Sequence, residues 1–99
     1  MENFKTIYRI LRFLEKAMDY DEPDLDRISA STLGLSERRR VSLLEMLSKE
    51  HLVDGIDVKW SMDGETALSI SNPRITLRGL EYLQENPQMQ KAAEMAKGY

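Results

Sequence analysis

The chain has 99 residues, of which 41% are hydrophobic and 31% charged, and its formal net charge is −3. This length and balance predict one globular domain with a modest core and disfavour intrinsic disorder. Cysteine is absent, so disulfides and thiolate zinc sites are excluded, and the lack of a secretory signal or a long apolar run predicts a cytoplasmic protein without a membrane span.

The first predicted element is a helix over residues 3–18, with Asn3 as its N-cap. Apolar residues recur in it at steps of three and four, which is the spacing of one buried helix face. This stripe comprises Phe4, Ile7, Leu11, Leu14 and Met18, and it is widened by Tyr8, Ile10 and Phe13. The opposite face carries Lys5, Arg9, Arg12 and Lys16. These cations are either the solvated side of an amphipathic helix or a contact along a phosphate backbone.

A short second helix is predicted from about residue 24 to residue 32, after an acidic break. Pro23 suits its first turn, and the aspartates that follow favour a helix N-terminus. The residues expected to face inward are Leu25, Ile28 and Leu33. The acidic segment does not fit a calcium-binding EF-hand loop, because Asp24 and Ala30 stand where glycine and glutamate are required. No metal site is therefore expected.

Residues 33–53 predict a helix-turn-helix. Gly34 permits a tight turn, and Ser36 caps the next helix with Glu37 in its first turn. The inward face of that helix is expected to contain Leu43, Leu44 and Leu47, together with Val41 or the stem of Arg40. A β-hairpin should follow, with strands over residues 52–60 and 66–70 and a turn at Asp63-Gly64.

The segment after Pro73 predicts another helix, capped by Thr76. Its expected buried stripe is Leu77, Leu80 and Leu83, with a hydrophobic staple between Ile75 and Leu80. Gly79 lies in the first turn, where glycine costs about 1 kcal/mol relative to alanine. We therefore expect another backbone to approach it closely, from the sheet or from the first helix.

Asn86 and Pro87 predict the start of a last helix over residues 87–97. Its apolar stripe is Met89, Ala92, Ala93 and Ala96, with Gly98 closing the helix. This stripe is expected to pack on the first helix, and a symmetric homodimer contact is the alternative. The order of elements predicts an α+β winged helix-turn-helix: three helices, a β-hairpin wing and one or two C-terminal helices. We expect a single domain over residues 1–99, in which residues 87–98 form an accessory helix.

Several segments resemble known winged-helix regulators of bacteria. "LGLSERRR" resembles the turn that opens a recognition helix, and "ITLRGLEYLQEN" resembles the segment that follows the wing. From residue 4 to residue 96, the chain is similar to the YjcQ family of small bacterial and phage proteins. The resemblance implies a winged-helix fold and little about biochemistry. Two residues depart from the pattern, because His51 stands where glycine often ends the recognition helix and Arg40 stands near a position that is often apolar.

The fold implied by this resemblance makes the helix that starts at Ser36 the candidate DNA-reading element. Arg38, Arg39 and Ser42 would approach bases, Arg40 and Lys49 would approach phosphates, and Lys5 or Arg9 would add contacts from the first helix. Two alternatives remain for this face: a solvated surface neutralised by glutamates, or a protein-binding surface. Glu45 in mid-helix and the acidic wing residues Asp57, Asp63 and Glu65 count against DNA.

The sequence therefore favours a small DNA-binding regulatory protein. The partners considered are double-stranded DNA, a second copy of the chain and another protein. The alternative is a winged-helix adaptor that binds proteins and not DNA. An enzyme is not expected: His51 is the sole histidine, Glu81 and Glu85 form only a common surface pair, and no catalytic, phosphate-binding or cofactor-binding motif occurs.

Overall fold

The computed structural model describes residues 2–63 and 65–97, without the side chains of Thr66 and Lys97. The predicted roles of Gly64 in the hairpin turn and of Gly98 at the last helix end lie outside these residues. The elements, in chain order, are α1 (Glu2–Ala17), a 3₁₀ helix (Leu25–Ile28), α2 (Ala30–Leu33), α3 (Glu37–Lys49), β1 (Val53–Trp60), β2 (Thr66–Ile75), α4 (Leu77–Glu85) and α5 (Pro87–Lys97). Helices combined with one antiparallel hairpin give the predicted α+β fold with a winged-helix-like layout.

α1 buries a face that only partly matches the predicted stripe. The buried residues are Thr6, Ile10, Leu11, Leu14 and Ala17. Phe4 is 36% exposed and Met18 is 51% exposed, so their predicted burial is wrong. Phe4 lies at the edge of the buried face, about 20° beyond Leu11 around the helix and two turns before it, close to the start of α1. Met18 lies beyond the helix end, where the periodicity no longer applies.

The predicted second helix is in fact two short elements separated at Ser29. The backbone of Ser29 is extended (φ −72°, ψ 159°), and its hydroxyl accepts a hydrogen bond from the Thr32 amide to cap α2. Asp24 caps the preceding 3₁₀ helix by accepting from the Asp26 amide. Pro23 therefore precedes this cap and is not in a first helical turn. The predicted inward residues are Leu25, which is half-buried, and Ile28 and Leu33, which are buried.

The helix-turn-helix prediction is confirmed in its local detail. Gly34 ends α2 in the left-handed conformation, with φ of 72°. Ser36 caps α3 by accepting from the Arg39 amide at 3.2 Å. The buried face of α3 comprises Val41, Leu43, Leu44 and Leu47. Because these residues fill the core, the opposite face of α3 is left open to solvent.

The hairpin is longer than the sequence predicts. β2 continues past Ile70, and the pairing is irregular between Asp54 and Ile56, opposite the stretch that contains Pro73. Proline lacks an amide hydrogen, so its place in a bulge removes no ladder hydrogen bond. Gly55, with φ of 81°, makes the bulge possible, because a Cβ there would lie 2.5 Å from the Ser71 carbonyl oxygen.

The start of α4 explains the glycine in its first turn. Thr76 caps the helix by accepting from the Gly79 amide at 2.9 Å. A Cβ on Gly79 would lie only 2.2 Å from the Leu52 carbonyl oxygen, which confirms the predicted close approach of another backbone. Leu77 is 74% exposed, so its predicted burial is wrong. It precedes Gly79 by two residues and therefore points away from the face that packs on the core.

α5 completes the core. Asn86 caps it through its side-chain oxygen, which accepts from the amides of Gln88 and Met89. Met89 and Ala92 are buried, whereas Ala96 is exposed, and α5 contacts both α1 and α4. This is the intramolecular packing that the sequence favours. Among the described residues, every helix is too short or too polar to cross a lipid bilayer.

Candidate nucleic-acid interface

The first two turns of α3 present the predicted DNA-reading residues on one side. Arg38 and Arg39 are exposed, Ser42 is half-buried, and Ser36 is exposed although its hydroxyl is used by the helix cap. A shallow groove runs beside these four residues and is closed on its far side by Asn3 of α1. The arginine-bearing turns of α3 are therefore accessible, and α1 forms the neighbouring wall.

Arg39 joins α3 to the start of α1. Its Nη1 donates a hydrogen bond of 2.9 Å to Oδ1 of Asn3. Asn3 does not cap α1, since that helix begins at Glu2, and its side chain instead holds the Arg39 guanidinium. One hydrogen bond to a neutral acceptor leaves the other donors of Arg39 available to a further acceptor.

Two of the predicted α1 cations, Lys5 and Arg9, lie next to this region. Both line a second groove, in which Asn3 and Arg39 also take part. Arg9 donates to the Thr32 carbonyl oxygen at 3.1 Å, and Lys5 is 3.8 Å from the carboxylate of Glu2. The two grooves thus bring cations of α1 and α3 together along one edge of the molecule.

Arg38 lies over the wing. Its Cζ is 5.5 Å from the ring centroid of Trp60, which is within cation–π range. The indole Nε1 of Trp60 in turn donates to Oε2 of Glu45 at 2.7 Å. Glu45, which the sequence suggests would repel phosphate, therefore fixes Trp60, and Trp60 supports Arg38.

Trp60 belongs to this site although nothing in the sequence marks it as a site residue. Ile56, Val58 and Trp60 alternate along β1 and so share one strand face, but the exposed fraction rises along it from 7% at Ile56 to 40% at Trp60. It is the only tryptophan of the chain and ends β1 before the turn. Its contact with Arg38 depends on how the wing packs on α3, and no local pattern encodes that arrangement.

Arg40 has a different position from the other two arginines. Its Nε donates to the Ile28 carbonyl oxygen at 2.7 Å, and its Nη1 pairs with Glu37 at 2.7 Å. Only 12% of its side chain is exposed. Arg40 therefore links α3 to the 3₁₀ helix, and its aliphatic stem covers the core. This agrees with its place near a position that is often apolar in winged-helix proteins.

The C-terminal half of α3 is less suited to a polyanion. Lys49 is exposed there, but so are Glu50 and the apolar side chain of Met46. Asp57 and Glu65 of the hairpin are also exposed. Asp63, beside the hairpin turn, is exposed as well, and hydrogen bonds from the Ser61 hydroxyl and the Glu65 amide lower the pKa of its carboxyl.

His51 follows the C-cap of α3 and has a φ of 61°. This left-handed conformation favours glycine, which accounts for the glycine that winged domains often carry at this point. The His51 carbonyl oxygen accepts from the Thr76 hydroxyl at 2.7 Å. The histidine thus has a backbone role at the junction of α3, β1 and α4.

These elements define a protein of winged-helix-like class, with a helix-turn-helix, a hairpin beside its second helix, and two closing helices. The chain belongs to the YjcQ protein family, whose model matches residues 8–98. This match confirms the resemblance drawn from the sequence. Searches among curated proteins and among solved structures gave no significant match.

Proposed function

We propose that this chain is a small DNA-binding regulatory protein that inserts the first two turns of α3 into the major groove. The observation that carries the proposal is the exposed pair Arg38 and Arg39, adjoined by Lys5 and Arg9 of α1. Guanidinium groups suit both guanine edges and phosphates, and helix N-terminal turns are the usual reading element of helix-turn-helix proteins.

The roles of the individual residues follow from their contacts. Arg38, steadied by Trp60, would approach a base edge together with Ser42, and Arg39 would approach an adjacent base or phosphate. Lys5, Arg9 and Lys49 would contact the backbone. Arg40 contributes indirectly in this scheme, because its guanidinium already binds Ile28 and Glu37.

The acidic residues limit how much of the surface can take part. With about four phosphates neutralised, the association constant should fall roughly 100-fold between about 50 and about 200 mM salt. A titration with random-sequence duplex at these two salt concentrations tests the proposal. Absence of binding at the lower concentration would refute it.

A protein-binding adaptor is the second candidate. The observation that favours it is the acidic hairpin, in which Asp57, Asp63 and Glu65 are all exposed. A wing with this charge is repelled by a phosphate backbone. Retention of a protein partner without DNA binding at low salt would favour the adaptor.

A further inference from the structure

A further groove meets the arginine-lined one at Met46 and extends from there toward α4. It has a volume of about 660 Å³ and separates the C-terminal half of α3 from α4, with Ile7 of α1 in its floor. The apolar lining consists of Ile7, Met46, Leu47, Leu52 and Tyr82. Met46 is 56% exposed at the edge of this groove, and exposed methionine adapts to varied apolar partners.

The rim of the groove is acidic. It carries the exposed carboxylates Glu50, Glu81 and Glu85, against a single cation, Arg78. Among the described side chains, the ion pairs are Lys5–Glu2, Arg12–Glu15 and Arg40–Glu37, so none involves these three carboxylates. The rim therefore has negative charge that the described part of the molecule leaves uncompensated.

Two further observations agree with this charge distribution. Glu81 and Glu85 are one turn apart on α4, where like charges repel each other. Burial and the negative charge of Glu50 raise the pKa of Tyr82, whose ring lies in the groove. The acidic rim thus has a small cost in the folded chain alone, which a cationic occupant would relieve.

The geometry points to a basic amphipathic helix of a partner protein as the occupant of this groove. The groove-lining residues of α4 are Arg78, Glu81, Tyr82 and Glu85, which form one strip along that helix. This strip spans roughly 10 Å, or about two turns, at 1.5 Å per residue. Leucine-like side chains would fill the apolar floor and lysines would pair with the rim, as in helix-in-groove recognition. The inference is independent of DNA binding.

The test uses the full chain and three labelled synthetic peptides of equal length, measured by fluorescence anisotropy without DNA. The first is an amphipathic leucine–lysine helix, the second has glutamate in place of lysine, and the third has serine in place of leucine. The proposal predicts binding of the leucine–lysine peptide at least tenfold tighter than either other peptide.

Variants locate the binding. Glu81→Lys with Glu85→Lys reverses the charge of the rim, and Met46→Asp places a carboxylate at the exposed apolar edge of the groove. Glu22→Lys with Glu94→Lys makes the same net charge change at exposed residues outside the groove. We expect the first two variants to lose at least tenfold in affinity and the charge-matched control to bind as the parent does.

Equal affinity of the rim and control variants would overturn the proposal, because binding would then follow net charge alone. Equal binding of the leucine and serine peptides would overturn it as well. Light scattering provides a further check: if the chain is a dimer that the rim reversal dissociates, the groove holds a second copy and the proposal is wrong. Circular dichroism verifies that each variant keeps its helices.

Discussion

His51 illustrates how a single residue can hold a backbone conformation at a cost. Its φ of 61° places a non-glycine residue in the left-handed region, which costs roughly 1–2 kcal/mol for a side chain that gains nothing there. The hydrogen bond at this position is made by the backbone, because the His51 carbonyl oxygen accepts it from the Thr76 hydroxyl. Any residue with the same backbone conformation would retain it.

We therefore predict that His51→Gly raises the free energy of unfolding by about 1 kcal/mol. Urea denaturation followed by circular dichroism measures the change. His51→Ala is the control and should show no comparable gain, because alanine keeps the Cβ that is disfavoured in this conformation. A destabilised glycine variant would show that the imidazole makes a stabilising contact.

Gly79 presents the opposite case, in which helix propensity and packing disagree. Alanine is favoured over glycine in a helix by about 1 kcal/mol. A Cβ at this position, however, would meet the Leu52 carbonyl oxygen at 2.2 Å, and backbone yields less easily than a flexible side chain. Overpacking of this kind costs roughly 1–3 kcal/mol or more.

Gly79→Ala should consequently destabilise the protein by about 2 kcal/mol, despite its better helix propensity. Gln84→Ala, at an exposed position of the same helix, should change stability by less than about 0.5 kcal/mol. Thermal and urea unfolding compare the two variants. Equal stability of Gly79→Ala and the parent would mean that α4 can shift away from Leu52 without cost.

The sequence predicts individual residues best where the signal is local. The caps at Ser36, Thr76 and Asn86 depend on side chains that bond amides two or three residues away, so their spacing is visible in the chain. Burial of Phe4 and Leu77 depends on the direction in which a whole helix is rotated against its neighbours. The spacing of apolar residues alone does not fix that rotation, so the predicted buried face can be wrong by one residue position.

At the scale of elements, α3 is held from three sides by different arginines and a glutamate. Arg40 bonds the 3₁₀ helix, Arg39 bonds Asn3 of α1, and Glu45 bonds Trp60 of the wing. Each partner is at least 12 residues away in the chain, so sequence spacing did not indicate these contacts. Of the three consecutive arginines, Arg40 is engaged in structural contacts, whereas Arg38 and Arg39 are the candidates for DNA recognition.

This division predicts that stability and DNA binding separate by variant. Arg40→Ala leaves the Ile28 carbonyl oxygen without its partner and should lower the free energy of unfolding by about 1–3 kcal/mol. Arg38→Ala should change it by less than about 0.5 kcal/mol while weakening DNA binding roughly 10- to 100-fold. Chemical denaturation and duplex titration should be performed on both variants. A large stability loss in Arg38→Ala, or a large loss of DNA binding in Arg40→Ala with unchanged stability, would contradict these roles.

The wing and α3 meet at the sole tryptophan, which makes this junction directly observable. If a DNA base or phosphate draws Arg38 from the Trp60 ring, the indole environment changes. We predict that adding duplex shifts or quenches tryptophan emission in the parent. Arg38→Ala should lack most of this change.

Trp60→Phe removes the hydrogen bond to Glu45 while keeping an aromatic ring for Arg38. It should weaken DNA binding less than Arg38→Ala does, and Trp60→Ala should lie between them. If both Trp60 variants bind duplex as tightly as the parent, the wing does not position Arg38.

At the scale of the whole molecule, a chain of net charge −3 presents different charges on different surfaces. Cations of α1 and α3 adjoin around Asn3, whereas carboxylates surround the groove between α3 and α4. Met46 borders both regions. This distribution would place DNA mainly along the N-terminal turns of α3, with Lys49 as an outlying phosphate contact, and leave the acidic groove for a basic partner.

The most direct measurement compares duplex binding by two double variants of equal net charge at about 50 mM salt. Arg38→Ala with Arg39→Ala removes the exposed pair of α3, and Lys16→Ala with Lys91→Ala removes two exposed cations that line neither of the grooves beside the arginines. We expect the arginine variant to lose at least 100-fold in affinity for duplex and the lysine variant to lose less than tenfold. Equal losses in the two variants, or duplex binding that the arginine variant retains in full, would contradict it.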